Sequence, residues 1–316
     1  MRDYQSTLSP VEIQKILPST SRGCRSFAAA YRIPITQISL PENTLAFKLG
    51  RDGPAWKVIV FFHGGGYATP ALRDHFRFAY GFDPEAASQN GVSLFVLEYG
   101  LASERKNQYP RQLQQAVWLM AHILHDRGIP ASDITLIGDS AGAHLLLSLL
   151  VHIARPNTRV SPLEIPGGGR LSAAILVSPW VNMHSSAKSM VSNQRRDVLD
   201  ASSLAYWATN FLGDIGAEYW NDPMAVPADM WGSVPVDRMF VVYGEDELFR
   251  DDIQTFCTTL QDNLGKEDNR FCSVSVPGEI HEHMIMNRFL RIGKSCESEK
   301  VFMSWLKELG IVEALY

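Results

Sequence analysis

The sequence predicts an α/β fold: a mostly parallel, eight-stranded sheet with helices on both faces. Three observations point there. From Lys57 onward, short apolar runs alternate with longer helix-like segments, the signature of parallel strands joined by crossover helices. One apolar run, Ile134 to Ile137, passes straight into an Ala/Leu-rich helical stretch at Gly138-Asp-Ser-Ala-Gly142. A chain of 316 residues with 46% hydrophobic and 20% charged residues can bury a large single core.

Taken in order, Ser9-Pro10 can start a short amphipathic helix over Val11-Glu-Ile-Gln-Lys-Ile-Leu17. Ile35 to Leu40 and Leu45 to Leu49 read as a hairpin around Pro41-Glu-Asn-Thr44. Lys57 to Phe62 is a buried strand that ends at His63-Gly-Gly-Gly-Tyr67. Val92 to Leu97 is a strand and Arg111 to Asp126 a helix; the strand at Ile134 is followed by a helix to about Ala154. Ala173 to Val177, Met239 to Tyr243 and Phe271 to Val276 complete the strands, with helices over Ile253 to Leu264 and Glu299 to Leu309. Residues 1–40 and 183–233 are richer in irregular sequence, and the second holds Trp207, Trp220 and Trp231. Ligands of a doubly wound sheet bind beyond the carboxyl ends of its strands. The expectation is therefore one domain over 1–316, with a cap built from these two segments.

Composition narrows the partners. A net charge of −5 gives no electrostatic case for nucleic acid or an anionic membrane. No apolar run approaches the ~20 residues needed to span a bilayer, and Met1 to Pro10 lacks the apolar core of a signal peptide. Cys24, Cys257, Cys272 and Cys296 show no metal-binding spacing, so reduced thiols in the cytoplasm are expected, with no metal or cofactor. The expected partner is a small-molecule substrate; a homodimer is compatible with this sequence.

The strand-to-helix join carries the chemistry. A backbone that turns this sharply needs small neighbours, and Gly138-x-Ser140-x-Gly142 supplies them, lifting a serine hydroxyl above the sheet. A serine hydroxyl is a poor nucleophile without a base, a group that orients the base, and donors for the developing oxyanion. The glycines after His63 leave backbone N–H groups unobstructed. No Lys-Ser/Thr opens a helix behind them, which argues against a phosphate loop. Gly65, Gly66 and Ala141 are the expected oxyanion donors, with His63 propping the loop. His281 directly follows the last strand in Pro277-Gly-Glu-Ile-His-Glu-His283 and suits the base better than its neighbour His283. The other histidines, His144 and His152 among them, are expected to lie away from strand ends in structural roles. Acid candidates crowd Glu245-Asp-Glu-Leu-Phe-Arg-Asp-Asp252, and physics alone leaves the choice open. The order Ser, acid, His fits a serine hydrolase.

These residues resemble the hormone-sensitive-lipase-like branch of the α/β-hydrolases over about residues 57–309. The likeness runs through His63-Gly-Gly-Gly-Tyr67, Glu98-Tyr-Gly-Leu-Ala102, Gly138-Asp-Ser-Ala-Gly142, Glu247-Leu-Phe-Arg-Asp251 and Gly278-Glu-Ile-His281. It implies an α/β-hydrolase fold with a helical cap, and a serine esterase with Ser140, Glu247 and His281 as its triad. Aligning the family's D-P-L-R-D-E run puts Glu247 in the acid's place, with Asp246 one residue out of register. The chain looks closest to steryl acetyl hydrolases and to esterases of secondary metabolism. Three departures stand out: Ala143 for a second Gly, no Arg or Pro in Glu98-Tyr-Gly-Leu-Ala-Ser-Glu104, and Glu for Asp at 247.

The expected reaction is hydrolysis of a small-to-medium apolar ester through an acyl-enzyme, such as an acetyl ester of a sterol or secondary metabolite. Trp180, Tyr67 and the aromatics of 183–233 would shape the pocket. Activity should rise as His281 loses its proton, near its ordinary pKa of ~6.5. Two alternatives use the same fold: a cyclisation or elimination in a biosynthetic sequence, or a binding protein for a small molecule. The presence of His281 argues against the second.

Overall fold

The computed structural model describes residues 9–51, 57–264, 270–292 and 295–312. The expectation for the N-terminal leader falls largely on residues 1–8, outside the described ones. Helix α1 (Pro10–Ile16) opens with a capping box in which Ser9 and Glu12 satisfy each other's backbone N–H groups. Then come α2 (Thr20–Ala30), β1 (Ile35–Leu40), β2 (Thr44–Leu49) and β3 (Lys57–Phe62). They are followed by α3 (Arg73–Ala79), α4 (Pro84–Gln89), β4 (Val92–Glu98) and α5 (Arg111–Ala121). The centre is β5 (Ile134–Asp139) running directly into α6 (Ser140–Ala154), then β6 (Leu171–Val177). Beyond these lie α7 (Ala201–Leu212), β7 (Val236–Gly244), α8 (Arg250–Leu264), β8 (Phe271–Val276), α9 (His283–Phe289) and α10 (Glu297–Glu308).

The eight strands form one sheet in the order β1-β2-β4-β3-β5-β6-β7-β8. Only the β1–β2 and β2–β4 pairs are antiparallel. The remaining pairs are parallel, so β3, β4, β5, β6, β7 and β8 point the same way, and their carboxyl ends share one edge. Side chains alternate between two cores, one on each face. Val58, Val60 and Phe62 of β3 pack into one, and Ile59 and Phe61 into the other. Helix α6 is apolar nearly all round because it is buried along most of its length.

Two expectations change. Ile35–Leu40, inside the segment expected to contribute to a cap, is the edge strand of the sheet. The stretch 183–233 contains a regular helix, α7, N-capped by Asp200 and burying Leu204, Trp207, Ala208 and Phe211 at helical spacing. Among the described residues, no helix is long and apolar enough to cross a membrane.

Candidate active site

The join between β5 and α6 has no room for side chains at its two glycines. A Cβ on Gly138 would lie 2.7 Å from the Ala143 nitrogen, and one on Gly142 would strike the Phe62 carbonyl. Ser140 sits between them at φ 46°, a left-handed conformation that a non-glycine residue holds only under constraint. Its carbonyl accepts the Trp180 N–H at 3.2 Å. Ser140 is 6% exposed and lines a cavity of about 370 Å³ together with Gly65, Gly66 and His281. Among the described residues, the Ser140 hydroxyl has no hydrogen-bond partner, and such bonds commonly tighten only when substrate is bound.

The glycine loop after β3 is held from three sides. Gly64 N–H donates to Asp139 Oδ2 at 2.9 Å. His63 Nδ1–H donates to the Gly64 carbonyl at 2.8 Å, and Tyr99 stacks on the His63 ring at 4.2 Å while its hydroxyl donates to the His63 carbonyl at 2.6 Å. Burial pushes the His63 imidazole down to about 4, so it is a neutral prop. Gly65 and Gly66 adopt φ of 101° and 61°, and a Cβ on Gly66 would collide with the Trp207 indole. Neither glycine's N–H is taken by another hydrogen bond among the described residues, so both are free to bind an anion.

His281, on the loop after β8, is fixed at both ends. Its backbone N–H donates to Asp197 Oδ1 at 3.1 Å, and its Nδ1 meets Glu247 Oε2 at 2.8 Å. Phe249 packs edge-on against the ring at 5.2 Å. Glu247 is fully buried; its other oxygen accepts the Gly244 N–H at 2.7 Å. Burial pushes the Glu247 carboxyl above the ordinary range, against the pull of its bond to His281. Burial would lower the His281 pKa, but the Glu247 hydrogen bond and the nearby Glu282 and Glu247 carboxyls outweigh it, pushing the imidazole up to about 9. The alternatives point elsewhere: Asp246 pairs with Arg196 at 2.8 Å, and His283 begins α9, its Nδ1 accepting the Ile280 N–H at 3.4 Å.

Several residues at the site were not expected. Asp197 binds the His281 N–H with one oxygen and the Leu248 N–H with the other at 2.7 Å, joining the loops that carry His281 and Glu247. Asn193 Nδ2 donates to the carbonyls of Glu245 and Glu247, each at 2.9 Å. His75 stands beside the end of β5, against the expectation for the remaining histidines, with Nε2 3.4 Å from Asp139 Oδ2. His144 and His152 do serve the framework, His144 between the Tyr67 hydroxyl at 2.6 Å and the Asn221 carbonyl at 2.8 Å, His152 against the Ser161 carbonyl at 3.0 Å. Trp180 and Tyr67 are buried away from the cavity, whereas Trp207 lines it.

One cluster offers atoms close enough to share a metal. His75, Asp139 and Glu282 each have one within 4.8 Å of the others. However, His75 Nδ1 accepts the Leu72 N–H at 2.8 Å, so the neutral ring carries its proton on Nε2, facing Asp139. A nitrogen that donates has no lone pair for an ion, and the group fits a hydrogen-bonded cluster instead.

The sheet order, the strained serine on a strand-to-helix turn and the late histidine–carboxylate pair define an α/β-hydrolase. Within that class, the family model described as steryl acetyl hydrolase matches residues 44–277, and the chain belongs to the steryl acetyl hydrolase family. It is 24% identical over 212 residues to "Steryl acetyl hydrolase 1" of Saccharomyces cerevisiae, a match covering 63% of this chain and 47% of that one. It is 28% identical over 201 residues to the "Acetyl-hydrolase" of Streptomyces hygroscopicus, covering 62% of this chain and 59% of the other. The chain thus spans about half the length of the curated relatives it matches. Carboxyl esterase 2 of Tuber melanosporum superposes with a TM-score of 0.69 at 19% identity, covering 90% of this chain and 88% of that one. An esterase of the bacterial hormone-sensitive lipase family gives 0.67 at 18%, covering 98% and 94%. At such identities the likeness is one of fold.

Proposed function

We propose that the chain is a serine carboxylic-ester hydrolase in which Ser140 is the nucleophile, His281 the base and Glu247 the acid. The observation that carries the reading is the 2.8 Å bond from His281 Nδ1 to a fully buried Glu247, which leaves Nε2 for the serine proton on the wall of the cavity that Ser140 lines. Ser140 Oγ attacks the ester carbonyl as its proton passes to Nε2. The negative oxygen that forms is held by the N–H groups of Gly65, Gly66 and Ala141, each donor worth about 2.7–4 kcal/mol. Collapse breaks the C–O bond, and the departing alcohol takes the proton from Nε2. Water then adds to the acyl-enzyme with the same proton exchange and releases the acid.

The substrate is a small-to-medium apolar ester, an acetyl ester of a sterol or secondary metabolite among them. Apolar side chains from two separate segments support this: Ile13, Ile16 and Leu17 of 1–40, and Leu199, Leu204 and Trp207 of 183–233. These make the cap of the single domain, apart from β1 and residues 1–8. The names of the relatives, hydrolases and an esterase, favour hydrolysis over cyclisation, elimination or simple binding. The free thiols of Cys24, Cys257, Cys272 and Cys296 support a cytoplasmic setting.

A fluorophosphonate and a series of p-nitrophenyl esters from acetyl to decanoyl test the reading. Covalent labelling that vanishes in Ser140→Ala, with turnover of the shorter esters, is expected. Labelling that persists without Ser140, or no turnover of any ester, overturns it.

A further inference from the structure

Glu282, the residue after the base, is built into the site in a way the triad does not require. Its backbone is left-handed, φ 52° and ψ 36°, a strained conformation for glutamate. Ser178, on the turn after β6, holds it there by accepting its N–H at 3.1 Å. The side chain is folded under the glycine loop, close enough that a Cβ on Gly64 would lie 2.7 Å from Oε1. That oxygen is buried without a hydrogen-bond partner and lies 3.7 Å from His281 Nε2, beside the cavity.

We propose that Glu282 is a positioning residue for His281, a second carboxyl that faces Nε2 while Glu247 holds Nδ1, and that its charge decides how readily Nε2 takes the Ser140 proton. The inference rests on His281 being the base of the proposed hydrolase.

The charge state follows from the neighbours. Glu282 and Asp139 present oxygens within 4.8 Å of each other, and two buried carboxyls that close do not both ionise. Asp139 is the better-stabilised anion, since it accepts the Gly64 N–H and faces His75 Nε2–H. Glu282 therefore keeps the proton, and burial first, then the Asp139 charge, pushes its pKa up to about 8. The other titratable groups around it are His63 and Tyr99 under the glycine loop, His75 on α3, and Glu247 and Asp197 behind His281. Near neutral pH, Glu282 presents a neutral carboxyl to Nε2. As it ionises, a carboxylate 3.7 Å from Nε2 favours the imidazolium, which has no lone pair with which to accept the serine proton.

Glu282→Gln removes the charge at every pH while keeping the length, and its amide N–H can still reach Asp139. Two measurements test it. The first is the pH dependence of the rate at which a fluorophosphonate labels Ser140. The second is the titration of the His281 ring nitrogens by NMR in ¹⁵N-histidine protein, assigned by the signal missing in His281→Asn. The expected result is a midpoint about one pH unit lower in Glu282→Gln in both, with labelling rates that coincide near pH 6, where the wild-type carboxyl is neutral, and up to about tenfold faster in the variant above about pH 8, where Glu282 of the wild type ionises. Superimposable titrations of His281 in the two proteins overturn the proposal, whatever the labelling does. A shifted His281 titration in protein that never labels supports the role of Glu282 and counts against the hydrolase reading instead. If Glu282→Gln does not fold, Glu282→Asp, which draws the carboxyl back from Nε2, carries the same test with a smaller shift in the same direction.

Discussion

The backbone N–H of His281 donates to Asp197 Oδ1 at 3.1 Å across 84 residues of sequence. Asp197 belongs to the segment 183–233, and its second oxygen takes the Leu248 N–H at 2.7 Å, one residue beyond Glu247. One buried carboxylate thus ties the loop carrying His281 to the loop carrying Glu247, the base and acid of the proposed mechanism. Replacing it by alanine leaves two buried donors unpaired, a cost of roughly 2–6 kcal/mol. Asp197→Ala should unfold at lower denaturant and lose kcat by tenfold or more, on the order of what misplacing a catalytic group costs. Unchanged stability and turnover on p-nitrophenyl acetate would show that the two loops hold their spacing without it.

Glu247 reaches His281 with one oxygen and the Gly244 N–H with the other. Glu247→Gln keeps the shape but can present an amide N–H to Nδ1, so the ring turns to the wrong tautomer; kcat should fall by about 10⁴. Glu247→Asp is one methylene shorter and can keep one of the two bonds, so it should fall between the two. Near-wild-type turnover in Glu247→Gln, with circular dichroism showing a folded protein, would remove Glu247 from the mechanism.

The parts of this site readable in sequence are those that sit within a few residues of each other. Gly138 to Gly142 encodes its own turn, because both glycines are needed where β5 meets α6. The glycine run after His63 announces free N–H groups in the same way, and Gly65 and Gly66 keep theirs while that of Gly64 is taken by Asp139. The acid was physically open within a run of carboxylates, and only family resemblance pointed to Glu247. Asp197, Asn193, His75 and Glu282 were not readable, because each acts through a partner brought in by another strand or helix. Helix α7 did leave a trace, with Leu204, Trp207, Ala208 and Phe211 at helical spacing behind the Asp200 cap, but polar residues between them weakened the pattern. The short helices α3, α4 and α9 offer too few turns for any period to show.

The raised His281 pKa moves the activity profile away from the ordinary histidine range. In the proposed mechanism His281 must be neutral to accept the serine proton, and its imidazole is pushed up to about 9. Accordingly, kcat/KM should rise with pH through neutrality and level off only near or above pH 9, after correction for spontaneous ester hydrolysis. Stability runs the other way. A histidine that binds its proton more tightly when folded stabilises the fold fully below its unfolded pKa of about 6.5, and that contribution is lost as pH rises through about 9. Denaturant midpoints at pH 6 and pH 9.5 should therefore fall while activity climbs. A rate plateau already reached at pH 7 would contradict the raised pKa.

Trp207 ties the size of the pocket to the glycine loop. Its indole lines the cavity of about 370 Å³ and lies where a side chain on Gly66 would otherwise go. Trp207→Ala should enlarge the cavity beside the glycine loop, and each extra methylene accommodated is worth about 1–3 kcal/mol. The ratio of kcat/KM for octanoyl over acetyl p-nitrophenyl esters is expected to rise about tenfold or more if the acyl chain lies on the Trp207 wall of the cavity. Stability should drop by roughly 3–5 kcal/mol, because the side chain is 6% exposed and its loss leaves a hole beside Gly66 in the core. If instead all esters slow together while the protein remains folded, the indole serves mainly to brace Gly66 for the oxyanion, and acyl length is set by the other wall, Ile13 and Leu17 of the N-terminal segment.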